Sequence, residues 1–231
     1  MAKKEINFED MKVTLGYFSL VGLEPCLMHN GRLADPEDHY AKEIKKITDK
    51  QRRTEKDAAA IADLEMAGGL YLDRHEKPCW PGRNLKGMTI EAGKTWRKGK
   101  EMKKAILSPW NWPLKHSGPN DADKIVDDPK MRHREMVKVS GKVPRFRPKF
   151  HDWSIEFVFM IQEVLTNFET VMHCVKVAGV GVGLGDGRPE FGKFMLDKDP
   201  IKLEVPLELM EKVQTATPQG VIDMCKKGVV E

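Results

Sequence analysis

Cysteine is scarce. The four in 231 residues, Cys26, Cys79, Cys174 and Cys225, lie far apart, and no two form a Cys-x-x-Cys pair. A chain this long with so few thiols is not a disulfide-stapled scaffold. Two His/Cys pairs, Cys26 with His29 and His75 with Cys79, stand isolated with nothing to make them converge, so no zinc or other metal site is expected. Long apolar runs are missing as well: none approaches the roughly 18 residues that a membrane-spanning helix needs. The opening residues Met1-Ala2-Lys3-Lys4-Glu5 lead into charged sequence without the apolar segment of a secretion signal, and the cytoplasm is the expected compartment. A large surplus of either charge is also lacking. The formal net charge of +4 says little by itself about partners; the distribution of charge along the chain has to be read instead.

What is present suits a folded domain. Hydrophobic residues make up 40% and charged residues 32%, enough for a core and a well-solvated surface. The length fits one elaborated domain, or one domain with a large insertion. Residues 11–23 contain β-formers in loose alternation and predict a first strand. Residues 37–68 change character, rich in Lys, Arg, Glu, Asp and Ala, and predict two charged helices broken near Thr54, with Thr54-Glu55-Lys56-Asp57 in the form of a helix cap. This segment reads as a helical insertion after the first strand. Residues 69–74 suggest a short extended piece, and Pro78-Cys79-Trp80-Pro81-Gly82 a rigid turn. Asn84 can cap a helix running to about residue 106, with Leu85, Met88, Ile90, Ala92 and Trp96 inward and Lys94, Arg97, Lys98, Lys100, Lys103 and Lys104 outward.

Residues 108–130 contain four prolines and read as a loop insertion. Its Trp110 and Trp112 could stack on bases, or pin the loop to the core, the reading favoured here. Residues 134–147 and 153–161 predict two strands, the second alternating with Trp153, Ile155, Phe157 and Phe159 on one face. Residues 164–179 predict an amphipathic helix, and Phe191, Phe194 and Leu196 a last strand. Residues 1–197 then form one α+β domain, with 198–231 a C-terminal extension carrying short helices around Glu208–Val213 and Val221–Lys227. The order strand, insertion, helix, strand, strand, helix, strand is that of a split βαβ, ferredoxin-like core, the arrangement of RNA-recognition modules whose open sheet face takes up single strands.

Two segments have the chemistry of a strand-binding surface. The glycine-rich stretch 179–194 places Gly183, Gly185, Gly187, Arg188 and Lys193 between the second helix and the last strand. Glycines there leave backbone N–H groups open to a phosphate, or form a flexible cap and turn. Across residues 130–149, Lys130, Arg132, Arg134, Lys138, Lys142, Arg145, Arg147 and Lys149 are opposed by one acid, Glu135, with His133 and Phe146 interleaved. Cations that track phosphates beside aromatics that stack on bases suit a sequence-tolerant single-strand site; a solvated hairpin is the plain alternative.

Other chemistry is weakly represented. Gly187-Arg-Pro-Glu-Phe-Gly192-Lys193 has phosphate-loop spacing, but Phe194 stands where a magnesium-binding hydroxyl is required. Gly87–Thr95 has one residue too many and lies in an expected helix. No nucleotide cofactor is therefore expected. Asp121, Asp123, Asp127 and Asp128 read as solvated surface. No catalytic residue is assigned.

Three segments together resemble the RAMP superfamily, in particular the CRISPR effector subunits that polymerise along guide RNA. Cys26-Leu27-Met28-His29-Asn30-Gly31 sits where that family has a turn after strand one. Lys77-Pro78-Cys79-Trp80-Pro81-Gly82-Arg83-Asn84-Leu85-Lys86-Gly87 is similar to its proline- and glycine-marked entry into the first helix. Residues 183–194, with Glu190-Phe191-Gly192, look like its glycine-rich loop. The resemblance covers roughly 10–35, 70–106 and 130–197. It implies that Arg83, Asn84, Lys86 and the glycine loop face a nucleic-acid backbone. Arg83-Asn84 replaces the usual Ser-Ser, and Asn30 an apolar residue. In some relatives a loop aspartate after strand one cuts RNA; Asp35 and Asp38 lie near that place without the surrounding motif. The resemblance implies a non-enzymatic binder of single-stranded RNA or DNA, a homo-oligomer or subunit of a nucleoprotein assembly, of the stand-alone kind that phage genomes encode, in a bacterial or phage-infected cell. The competing classes are an interaction protein or inhibitor of host defence on the same fold, and a metal-dependent nuclease.

Overall fold

A computed structural model describes residues 12–138 and 142–230. The Met1–Glu5 stretch, Met11 and Val139 of the expected strands, and the terminal Glu231 lie outside the described residues. The chain is an α+β protein: helices packed on a mainly antiparallel sheet. The central strand is β1, Lys12–Gly22, paired antiparallel to β8 (Ser154–Gln162) on one side and to β10 (Ile201–Pro206) and the short β9 (Phe194–Leu196) on the other. Beyond β8 lie β4 (Ile106–Leu107), β5 (Asn111–Lys115) and β3 (Cys79–Pro81), so the sheet runs β10-β1-β8-β5-β3. A second, three-stranded sheet runs β2-β7-β6, from Cys26–Leu27, Lys142–Phe150 and Arg132–Lys138.

Both faces of the central sheet are covered. Phe18 stacks on Phe157 of β8 and on Phe168, the first residue of α6 (Phe168–Gly181). Helix α3, Gly82–Lys94, packs beside α6 with Leu85, Met88 and Ala92 buried. On the opposite face, Leu15, Tyr17, Val158 and Met160 are buried beneath α8, Pro218–Lys227, which contacts β1, β8 and β10. The polar centre of that face is Glu156. Its carboxylate accepts from the Tyr17 hydroxyl, from Lys226 of α8 at 2.8 Å and from Lys115 of β5 at 3.2 Å. Burial works against ionisation of Glu156, but those hydrogen bonds hold its carboxyl down at about 2. The sheet face that was expected to stay open is therefore covered by the C-terminal helix.

Several expectations are met and several corrected. The charged segment does form two helices, α1 (His39–Thr48) and α2 (Glu55–Gly69), and Thr54 and Asp57 make a reciprocal capping box. Ile155, Phe157 and Phe159 are all buried on one face, whereas Trp153 precedes the strand and donates to the Glu24 carbonyl. The helix expected from Asn84 to 106 is two: α3 is capped at Pro81, so Asn84 is inside it, and the chain turns at Arg97 into α4, Gly99–Ala105. Trp96 falls in that turn and is 45% exposed, against the ring of His173. The 78–82 turn holds β3; of the 69–74 piece, Gly69 still belongs to α2 and Arg74 to a turn, and the extended part between them has one bridge, Leu72 to Pro78. The 108–130 segment is not a loop: it holds β5 and α5 (Ala122–Asp127), and β5 rather than 134–147 is the sheet's strand beside β8. Trp112 and Trp110 are buried, Trp110 donating to Ala216 beneath the C-terminal helices. Val164 and Leu165 are exposed because α6 begins only at Phe168, behind its Asn167 cap. The last long strand is β10, within the stretch expected as an extension. Among the described residues, no helix is long and apolar enough to cross a membrane.

Stability from Glu156 is fully present above the ordinary glutamate range and is lost as pH falls from about 4.5 toward about 2. Glu156→Gln is expected to cost on the order of 2 kcal/mol at neutral pH and to flatten that acid limb. Urea unfolding of both proteins across the acid range measures it.

Candidate nucleic-acid interface

The basic segment folds as the antiparallel hairpin β6–β7, and its register sorts the cations. Arg134 opposes Phe146, Met136 opposes Pro144 and Lys138 opposes Lys142; the alternate residues Glu135 and Arg145 oppose each other on the other face. Side chains alternate across a strand, so the only acid of the segment points away from Arg134, Lys138 and Lys142. Those three cations surround Met136, which is 52% exposed, and they have no carboxylate partner among the described residues.

Toward the base of the hairpin the cations are occupied. Arg145 pairs with Glu65 of α2, a buried carboxylate that also accepts from the Phe146 N–H at 2.8 Å. Arg147, only 8% exposed, donates from Nε to Asp186 at 2.9 Å. Arg132 pairs with Asp63 at 2.6 Å and donates to the Val126 carbonyl at 2.7 Å. Arg145 and Arg147, expected to meet phosphates, thus hold the hairpin to α2 and to the glycine loop. Lys149 is half-buried in a groove shared with Lys130, Arg132 and His151.

The glycine loop has internal reasons for its glycines. Gly183, Gly185 and Gly187 have φ of 85°, 99° and 67°. A Cβ on Gly185 would stand 2.3 Å from the Leu27 carbonyl oxygen, and on Gly192 (φ 73°) 1.9 Å from that of Leu184, so the backbone is pressed against β2 and against itself. Its N–H groups are used there: Gly183 donates to Ala178, Leu184 to Gly192, Asp186 to Leu27 and Gly192 to Pro25. The open phosphate cradle expected of the loop is closed at those four positions, because close packing consumes the donors. Arg188 is exposed and Lys193 half-buried. Burial opposes ionisation of Asp186, yet the Arg147 guanidinium and the Gly187 N–H outweigh it and keep its carboxyl below the ordinary value.

The three expected segments do meet. Asp186 bridges to Leu27 of β2, beside β7, and Phe191 of the loop packs edge-on against His133 of β6 at 4.8 Å. Trp80, which precedes α3, is the other neighbour of Gly185 and packs on Tyr71, whose hydroxyl donates to the His29 carbonyl. Arg83 at the start of α3 is exposed, its guanidinium 6.0 Å from the centre of the Tyr71 ring; it lines a cleft of about 450 Å³ with Asn30, Tyr71, Ser108, Trp110 and Asn111. Asn84 and Lys86 are half-buried. Burial, then the nearby charge of Lys103, lets Lys86 lose its proton more easily than an ordinary lysine. His29 and His133 are held below the usual histidine value, chiefly by burial.

The partners Glu65, Asp63 and Asp186 were not expected; in the sequence they are ordinary acids in a charged helix and a glycine run. Asp35 accepts from the Glu37 N–H and Asp38 caps α1 through the Tyr40 N–H. Among the described residues no group of three His, Cys, Asp or Glu could hold a metal ion. All four cysteines are buried, and burial raises their thiols, Cys79 and Cys225 to about 12.

No protein family matches the chain, and no curated protein does. Among solved structures it is similar to a chain in the cryo-EM structure of the Type III-B Cmr-beta bound to cognate target RNA, at 10% identity and a TM-score of 0.49, over 84% of this chain and 61% of that one. The chain thus spans about three-fifths of the length of that neighbour.

Removing the partner of a buried cation differs from removing an exposed cation. Asp186→Ala is expected to destabilise by about 3 kcal/mol, because Arg147 is left buried and unpaired. Lys142→Ala is expected to stay within about 0.5 kcal/mol of the wild type. Denaturant midpoints of the two variants test the contrast.

Proposed function

We propose that this protein is a non-enzymatic binder of single-stranded nucleic acid, RNA or DNA, built on a ferredoxin-like split βαβ core of the RAMP kind. The observation that carries this reading is the outer face of β6–β7, where Arg134, Lys138 and Lys142 flank an exposed methionine and the hairpin's own acid, Glu135, lies on the other face. Unpaired cations beside an apolar side chain suit phosphates and base faces together, without selecting a sequence. The strand order β10-β1-β8-β5, with α3 and α6 in the crossovers, supports the assignment of the core. The strand runs over the hairpin toward the cleft at the start of α3, where the exposed Arg83 offers a cation and the backbone N–H groups of a helix start favour phosphate. It does not lie on the central sheet, which α8 covers.

Fluorescence anisotropy with labelled 30-mer RNA and DNA strands tests the reading. Binding is expected to be sequence-tolerant and to weaken steeply with salt. Replacing Arg134, Lys138 and Lys142 by Ala together should remove about 2 from the slope of log K against log salt, at about 0.7 per phosphate contact. Absence of binding to both polymers at micromolar protein rejects it, and partner proteins become the search.

A further inference from the structure

We infer that the outer stripe of α3 and α4 is a second track for the phosphodiester backbone of the bound strand; this rests on the single-strand reading above. Arg83, Lys86, Ile90, Lys94 and Arg97 follow one another at intervals of three and four, so they line one side of α3. The line continues into α4 with Lys100, Lys103 and Lys104. Where the two helices meet, Ile90, Lys94, Arg97, Lys100 and Lys103 line a groove of about 490 Å³. Residues 82–105 contain two acids, and both are engaged: Glu91 with Lys94, and Glu101 with Lys98 at 2.8 Å. Lys86, Arg97, Lys100, Lys103 and Lys104 have no carboxylate partner among the described residues. Charges of one sign gathered along a groove repel one another, and among the described residues only Lys94 of the groove has a carboxylate partner.

Arg97 is a second, independent sign. It stands in the turn after α3, in the left-handed region with φ 61°, while the Lys98 N–H reaches back to the Gly93 carbonyl. Glycine takes that position without strain, and an arginine does not. A strained residue that carries a guanidinium to the rim of a groove walled by the stems of basic side chains points to a use for the side chain.

The chemistry of the stripe fits a chain of phosphates better than a single one. Its cations are strung along a helix of 13 residues, about 20 Å at 1.5 Å per residue, without a focal point. Its upper end is Arg83, in the cleft already assigned to the strand, so one backbone can pass from the hairpin to α4.

The experiment uses the full chain and the same 30-mers, titrated over a range of salt. Lys100→Ala, Lys103→Ala and Lys104→Ala together should lower the salt slope by about 2, which is a weakening of about 100-fold at 0.1 M salt relative to 1 M. Arg97→Gly should weaken binding several-fold while leaving Tm no lower than the wild type, a combination that a merely structural arginine would not produce. If the wild type binds and the Arg134/Lys138/Lys142 variant weakens, but the α4 variant keeps its slope, the second track is wrong and the hairpin site stands. If the wild type binds neither polymer, both readings fall. If polyglutamate displaces the strand from the wild type but not from the α4 variant, and does so at equal charge concentration, the stripe is an acidic-protein surface and the phosphodiester assignment is overturned.

Discussion

Strand β1 is buried on both faces, and the rest of the molecule is arranged to make that possible. Phe18 and Leu20 need α3 and α6 on one side; Leu15 and Tyr17 need α8 on the other. A strand with strand neighbours at both edges and a helix on each face leaves its polar side chains little solvent, and they fare differently: the buried Thr14 hydroxyl has no hydrogen-bond partner among the described residues, while Ser19 donates to Asp197 at 3.3 Å. The Tyr17 hydroxyl finds Glu156, and Glu156 in turn finds Lys115 and Lys226. The C-terminal helix is thereby joined to the sheet by apolar burial around one charge cluster, and the two are mutually dependent: the carboxylate stays ionised because the cations are there.

Covering the sheet moves any binding surface outward, and the charges are divided accordingly. Three arginines at the base of the hairpin, Arg132, Arg145 and Arg147, turn inward to Asp63, Glu65 and Asp186. Lysines 138 and 142 sit at its exposed end. The division follows from hydration: a guanidinium is weakly hydrated and makes several directed hydrogen bonds, so it tolerates the half-buried base, whereas a lysine ammonium is better left in water. The inward arginines fix where the hairpin points; the outward cations set what it can meet. A count of basic residues in the segment would credit both groups with the same task.

Local order was legible where one stretch of sequence contained all of its own physics. The Thr54–Asp57 capping box and the alternation of Ile155, Phe157 and Phe159 are complete within a few residues, and each formed as read. Strand β5 was hidden because Pro113 and two tryptophans disguise it as a loop; its proline sits in the pairing with Cys79, a partner more than thirty residues away in sequence. The turn at Arg97 has its glycine at Gly99, the first residue of α4, and not at the left-handed position itself, where an arginine stands. The 134–147 segment does form strands, but in the second sheet, and nothing local in a strand says which sheet it joins.

The sequence by itself determined the periodicities, the caps, the supply of cations and the lack of cysteine and of membrane-length apolar segments, since these depend on neighbours within one or two turns. Tertiary structure alone decided which strand entered the central sheet, that α8 would close its second face, and which cations face water. Those outcomes rest on pairs such as Arg145 with Glu65, Arg147 with Asp186 and Lys226 with Glu156, whose members stand 80, 39 and 70 residues apart. A charge is free or spent according to a partner that only the folded chain brings beside it.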